Sequence, residues 1–233
     1  MTEPTDSNNY SSASQYPSAY GKRRETSEIE YELLNQQCKQ KSLSACGKLA
    51  AIQLEREGNN IEEMAERVSE LEGHCAKNDG NACLSIGSAY IYGVFVNQDY
   101  AHGFELLSKA CELGEGFGCW TLGMLYRDGV GIQQSYPTAL GFFEHGCQLN
   151  DGESCNDLGI LYFNGEGVRQ DKKRSMELFN KGCDLNSGNS CINLADELIK
   201  NDENKKPKAK ELYGKACDIG EQVGCEKYKY LNN

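Results

Sequence analysis

The twelve cysteines of this chain stand in six pairs, at 38 and 46, 75 and 83, 111 and 119, 147 and 155, 183 and 191, and 217 and 225. Seven residues lie between the members of every pair, and successive pairs begin 37, 36, 36, 36 and 34 residues apart. A fixed period of about 20 to 50 residues marks a stack of small units that bury their apolar faces only against one another. The chain is thereby restricted to a solenoid before any single residue is weighed.

Other residues keep the same register. Four positions before each first Cys stand Leu34, Leu71, Leu107, Phe143, Phe179 and Tyr213. Four residues is one helical turn, so each shares a face with its Cys. Three positions after the first Cys come Asn78, Gly114, Asn150, Asn186 and Gly220, types that tolerate the left-handed conformation at helix ends. The next residue is Ser, Asp or Glu in every unit, which suits a helix entry. The residue before each second Cys is small: Ala45, Ala82, Gly118, Ser154, Ser190 or Gly224.

A second helical pattern opens after the second Cys. Leu49, Ile86, Leu122, Leu158 and Leu194 are followed by Ala50, Gly87, Gly123, Gly159 and Ala195, and Tyr90, Tyr126 and Tyr162 sit one turn on. Glycine inside a helix costs about 1 kcal/mol against alanine. Its recurrence at one register predicts a neighbouring helix packed on bare backbone. The runs "YGVFVNQD", "DGVGIQQS" and "NGEGVRQD" then break the helix, and the next is expected near Tyr100, Pro137 and Asp171. Pro137 and Pro207 fit a first helical turn. Each unit reads as helix, glycine loop, helix, with the cysteine pair at the junction to the next unit. About twelve helices are expected between Ser27 and Leu231, and no sheet.

The runs "LGMLYRDGVGIQQSYPTALGFFEHGC" (122–147) and "LGILYFNGEGVRQDKKRSMELFNKGC" (158–183) resemble Sel1-like repeats, helical units related to tetratricopeptide repeats. The paired cysteines make the chain similar to the Helicobacter cysteine-rich proteins. The resemblance covers residues 28 to 231 and is weaker at the ends: Gln53 replaces the tyrosine, and "IKNDENKKP" lacks the glycine loop. Capping units often depart from the pattern. The resemblance implies an all-α, right-handed α/α superhelical solenoid with one disulfide per repeat. Its relatives bind proteins or assist assembly, and some are described as penicillin-binding or weakly β-lactam-hydrolysing.

Within each pair a disulfide is expected, bonding Cys38 to Cys46, Cys75 to Cys83, Cys111 to Cys119, Cys147 to Cys155, Cys183 to Cys191 and Cys217 to Cys225. Zinc knuckles and thiol redox motifs call for Cys-x-x-Cys, which is missing, and the three histidines fall in different registers. A helix end and the next helix start, joined by a short loop, bring two Cα atoms to the roughly 4.4 to 6.8 Å a disulfide needs. No metal site and no cofactor is expected.

Twelve cysteines point to an oxidising compartment, the periplasm or the exterior, with the mitochondrial intermembrane space as the alternative. No apolar secretory segment opens the chain, so an export signal is expected to have been removed ahead of it. Residues 1–26 read as a disordered polar tether, suited to a lipid anchor on that lost signal, and residues 27–233 as the solenoid. No apolar run reaches membrane-spanning length. A net charge of −11 disfavours nucleic acid and anionic membranes and leaves a basic protein partner open. A monomer is expected.

No catalytic constellation emerges. Ser-x-x-Lys and His-Glu-x-x-His are absent, and "GEGFG" (114–118) follows no strand. His74 and His145 stand near helix C-termini, where the dipole favours a cation. The expected function is a non-catalytic scaffold or adaptor, one form of which is an immunity-type protein that binds and neutralises a toxin or effector. The alternative is a weak penicillin-binding protein or β-lactamase. In tetratricopeptide-like stacks the first helix of each unit lines the concave face. Transferred here, that geometry assigns partner binding to Leu84, Ser88, Ile91 and Tyr92, to Trp120, Met124, Arg127 and Asp128, and to Asn156, Ile160, Phe163 and Asn164. Ile91, Ile160 and Phe163 suit inter-repeat packing as well, and Trp120 suits a buried role. Trp120 and Arg127 lead the set because these types dominate binding hot spots.

Overall fold

The computed structural model describes residues 61–231. The Cys38–Cys46 pair and the 1–26 tether lie outside the described residues. Ten α-helices follow one another with no strand among the described residues: α1 (Ile61–Ala76), α2 (Gly80–Tyr92), α3 (Tyr100–Glu112), α4 (Gly116–Asp128), α5 (Tyr136–Gln148), α6 (Gly152–Asn164), α7 (Lys172–Asp184), α8 (Gly188–Asn201), α9 (Lys206–Ile219) and α10 (Gln222–Tyr230). A short 3-10 turn, Glu203–Lys205, precedes α9. None of these helices is long and apolar enough to cross a membrane. Every helix packs on its neighbours in sequence, as an α/α solenoid requires.

The cysteine corners are built alike. Asn78, Gly114, Asn150, Asn186 and Gly220 take left-handed φ values between 64° and 108°. The N–H of the next residue then reaches back five positions, as in Asp79 to the His74 carbonyl (3.1 Å) and Ser187 to the Gly182 carbonyl (2.9 Å). This satisfies carbonyls that a helix end would otherwise leave open. Asp79, Asp151 and Ser187 cap the following helix by accepting from Ala82, Ser154 and Ser190 N–H; Glu115 and Glu221 occupy the same place without a side-chain cap bond. Disulfides close all five described corners, with Cα separations of 4.5 to 4.8 Å. Each constrains the unfolded chain by roughly 2–3 kcal/mol in the loop-entropy account.

At the other end of the first three hairpins, Gly93, Gly129 and Gly165 terminate the helix with φ of 65°, 69° and 77°. A glutamine then folds back on the helix it has just left. Gln98, Gln134 and Gln170 donate through Nε2 to the carbonyls of Ile91, Arg127 and Phe163 at 2.7–2.8 Å. Asp99, Ser135 and Asp171 cap the second helix.

The repeated helix-interior glycine is a contact point. A Cβ on Gly123 would stand 2.5 Å from the Phe143 ring, and one on Gly159 would stand 2.7 Å from Phe179. Phe143, Phe179 and Tyr213, one turn before a first Cys, are all buried, as is Leu107. The core is accordingly a row of clusters along the stack, and each cluster includes cysteines of a corner.

The first helices α4, α6, α8 and α10 touch in succession, whereas successive second helices (α3, α5, α7, α9) make no comparable contact. Where successive helices run closer together, a curved stack turns its inner side. Successive first helices thus approach one another more closely than successive second helices do, as an inner face formed by the first helices would require.

Gly123→Ala is expected to lower stability by about 1–3 kcal/mol, because the methyl group overpacks a filled seam. Gly141→Ala, on the exposed side of α5 with nothing within 4 Å of its Cβ, is expected to raise it by about 1 kcal/mol. Thermal melts of the two oxidised variants check the pair.

Candidate functional site

The twelve residues assigned from sequence to an inner face fall into three groups. Ser88, Ile91 and Asn156 are buried, at 8%, 1% and 5% exposure. Leu84, Trp120, Met124, Arg127, Ile160 and Phe163 are half-buried, and Tyr92, Asp128 and Asn164 are exposed. Only the last position of the helix separates cleanly, since Tyr92, Asp128 and Asn164 are all exposed while the three buried residues come from three different positions. The residue directly after each second Cys points into the seam with the next first helix. The last residue of the helix stands clear of it.

Ser88 bonds within its own helix, donating to the Leu84 carbonyl at 2.7 Å. Asn156 bridges units, its Oδ1 accepting from Asn193 Nδ2 at 2.9 Å. Trp120 reaches one repeat ahead in the same way, donating from Nε1 to Asp157 Oδ2 at 2.7 Å. Its ring lies 4.8 Å from Phe117 and packs on the cluster around Phe143. Trp120 is thus a strut between α4 and α6 as well as part of the inner face.

Asp157 joins the predicted residues together. Only 8% exposed, it takes the Trp120 indole on one oxygen, while Arg127 Nη1 lies 3.6 Å from the other. Asn156 Nδ2 stands 3.4 Å from that same Oδ1. Arg127 is held in turn by Asp128, whose two oxygens accept from Nε at 2.7 Å and Nη2 at 3.0 Å. Burial raises the Asp157 carboxyl above its ordinary range, and Arg127, the Trp120 N–H and Asn156 only partly offset it. The assignment from sequence passed over Asp157. The available signal is its register: Lys48, Ser85, Thr121, Asn193 and Lys227 occupy the equivalent positions, and Asp157 alone is acidic.

The exposed surface runs along the C-terminal ends of the first helices, through Tyr92, Asp128 and Asn164, with Arg127 and Phe163 beside it. Tyr92 is 54% exposed. Lys172 of α7 lies over the Phe163 ring, 5.1 Å from its centroid. One aromatic, one ion pair and one amide in successive repeats offer a partner mixed chemistry on a rigid spacing. The one convergent group of metal-type donors among the described residues, Cys111, Cys119 and His145, lies at a corner.

Asp157→Asn keeps an acceptor for the Trp120 indole and removes the cost of a buried charge, so its melting temperature at neutral pH is expected to equal or exceed the wild type. Asp157→Ala strands the indole N–H and is expected to cost about 1–3 kcal/mol. A carboxyl whose pKa is raised on folding disfavours the folded state at pH above that pKa, and the penalty fades as pH falls toward the unfolded value. Wild type is therefore expected to gain on Asp157→Asn between pH 7 and roughly pH 4, as paired melts at the two pH values would show.

The Sel1 repeat family model matches residues 80–115, 117–151, 152–187 and 191–221, more than half of the chain. Among solved structures, a Sel1 repeat protein from Oxalobacter formigenes aligns with a TM-score of 0.63 at 16% identity, over 82% of this chain and 86% of that one. The immunity protein Pa5087 from Pseudomonas aeruginosa aligns with a TM-score of 0.51 at 18% identity, over 69% of this chain and 60% of that one. Both show the shared fold. Cysteine rich protein B of Helicobacter pylori is 31% identical over 57% of this chain and 96% of its own, with a TM-score of 0.47. A search of curated proteins returns no match. With four successive repeats matched over more than half of its length, this chain belongs to the Sel1 repeat family.

Proposed function

We propose that this chain is a non-catalytic protein-binding scaffold, and specifically an immunity-type protein that binds and neutralises a toxin or effector. The observation that carries the reading is the closer approach of the first helices. It supports their face as the inner side of the stack, along which Tyr92, Asp128 and Asn164 are exposed, one per repeat. Regular spacing on a stiff support lowers the ordering cost of binding. The net charge of −11 suits a basic partner, because opposite charge steers encounter and fixes orientation. The fold shared with the Pseudomonas immunity protein supports the narrower form. Disulfides at every described corner support a periplasmic or secreted location, where the chain acts as a monomer.

The test is an affinity capture from the source cell with oxidised protein as bait, followed by inhibition of whatever activity the captured protein has. A basic secreted toxin or lipase, silenced on binding, is the expected result. Tyr92→Ala combined with Asn164→Ala is expected to weaken that complex by about tenfold or more while shifting unfolding by no more than about 0.5 kcal/mol. Capture that ignores both substitutions would move the partner to another face. Turnover of a chromogenic cephalosporin by oxidised, metal-free protein would favour the β-lactam-hydrolysing alternative.

A further inference from the structure

Two residues before the first Cys of a pair, three successive units carry Lys109, His145 and Lys181. The two lysines do the same thing. Each reaches back one repeat and donates to the carbonyl of the preceding first cysteine: Lys109 Nζ to Cys75 and Lys181 Nζ to Cys147, both at 2.7 Å. His145 holds the equivalent place over the Cys111–Cys119 corner. There its Nδ1 lies 3.5 Å from Cys111 Sγ and 3.8 Å from Cys119 Sγ. Both cysteines are buried and the histidine is exposed, so the imidazole borders the sulfurs on their solvent side.

Those two distances have a specific meaning. Zinc bonds of about 2.3 Å to sulfur and 2.0–2.1 Å to nitrogen, at a tetrahedral angle, place the nitrogen roughly 3.5–3.6 Å from each sulfur. The imidazole already stands near that distance from both. What is missing for a metal site is separation of the sulfurs, from a bond to roughly 3.8 Å, the gap of two thiolates on one zinc ion. Breaking the disulfide supplies it. The Cα atoms stand 4.8 Å apart, so rotation about the two Cα–Cβ bonds can part the sulfurs.

We infer that Cys111, Cys119 and His145 form a redox-gated site for a zinc-type divalent cation, closed as the disulfide and opened by reduction. Two electrons and two protons from an external dithiol, itself oxidised to a disulfide, convert the bond to two thiols. Zn2+ then binds both sulfurs and His145 Nδ1, and the two thiol protons pass to solvent. The fourth position faces outward and takes water. The other described corners have no histidine in reach of their sulfurs. The site is independent of the partner-binding face.

The test uses the full oxidised chain under nitrogen, titrated with a phosphine reductant until mass mapping shows the Cys111–Cys119 pair open. A phosphine does not compete for the metal as a dithiol would. Alkylation of each cysteine is then timed with Zn2+ and without it, in wild type and in His145→Lys, which installs the residue that two neighbouring repeats already use. In wild type, Zn2+ is expected to slow alkylation of Cys111 and Cys119 by at least about tenfold, since even an outer partner of a metal ligand is worth that much. His145→Lys is expected to lose that protection. With Co2+ in place of Zn2+, wild type is expected to show tetrahedral d–d bands and thiolate charge transfer, and the variant to lose them. Equal protection in wild type and variant overturns the site. So does equal protection at all pairs, which marks generic binding by unfolded thiols, or no slowing by Zn2+.

Discussion

Each unit of this protein depends on a corner of seven residues in which a helix stops, reverses and restarts. Three forces act on that short stretch. A left-handed Asn or Gly turns the chain, backbone bonds close the ends of both helices, and a disulfide ties the two sides. The first two are local and weak alone. The third biases the unfolded chain toward the reversal, so that the apolar faces of consecutive helices meet with little further loss of freedom. The buried rows around Phe143 and Phe179 then form on a frame already set.

The seams between units have a different character. No described disulfide crosses from one corner to another. Successive first helices are held by side chains alone: Trp120 on Asp157, Arg127 beside it, Asn156 on Asn193. Polar contacts of this kind fix register more than they add stability, because burying Asp157 costs free energy that its partners only partly return. Each disulfide joins the second helix of one unit to the first helix of the next, so the units are tied covalently at their corners while successive first helices meet only through these side chains.

Much of this is legible from residue types in register. The six cysteine pairs, the left-handed Asn and Gly positions and the small residues at Gly123 and Gly159 all report local geometry, and local geometry repeats with the sequence. The Gln98, Gln134 and Gln170 clamps repeat as faithfully, yet an amide in a polar loop looks like solvated surface until its carbonyl is seen. The inner face is legible only in part. A register borrowed from related stacks selects one side of a helix, but that side holds both the open groove and the seam with the next helix. Ser88, Ile91 and Asn156 lie in the seam, and Tyr92, Asp128 and Asn164 lie outside it. The lateral offset between helices decides which, and no single helix encodes that offset. His145 was hidden for the same reason, since its neighbours at the Cys111–Cys119 corner are 34 and 26 positions away in sequence.

The closure of every described disulfide within its own corner bears on how such a protein changes length. In most cystine-rich domains the bridges cross, and losing a segment leaves an odd thiol that mispairs with whatever remains. Here a deletion or duplication of one period removes or adds both partners of a bond together. The pairing pattern is therefore indifferent to the number of repeats. A lineage carrying this architecture can lengthen or shorten its inner face one helix pair at a time, matching it to partners of different size, without relearning how to oxidise.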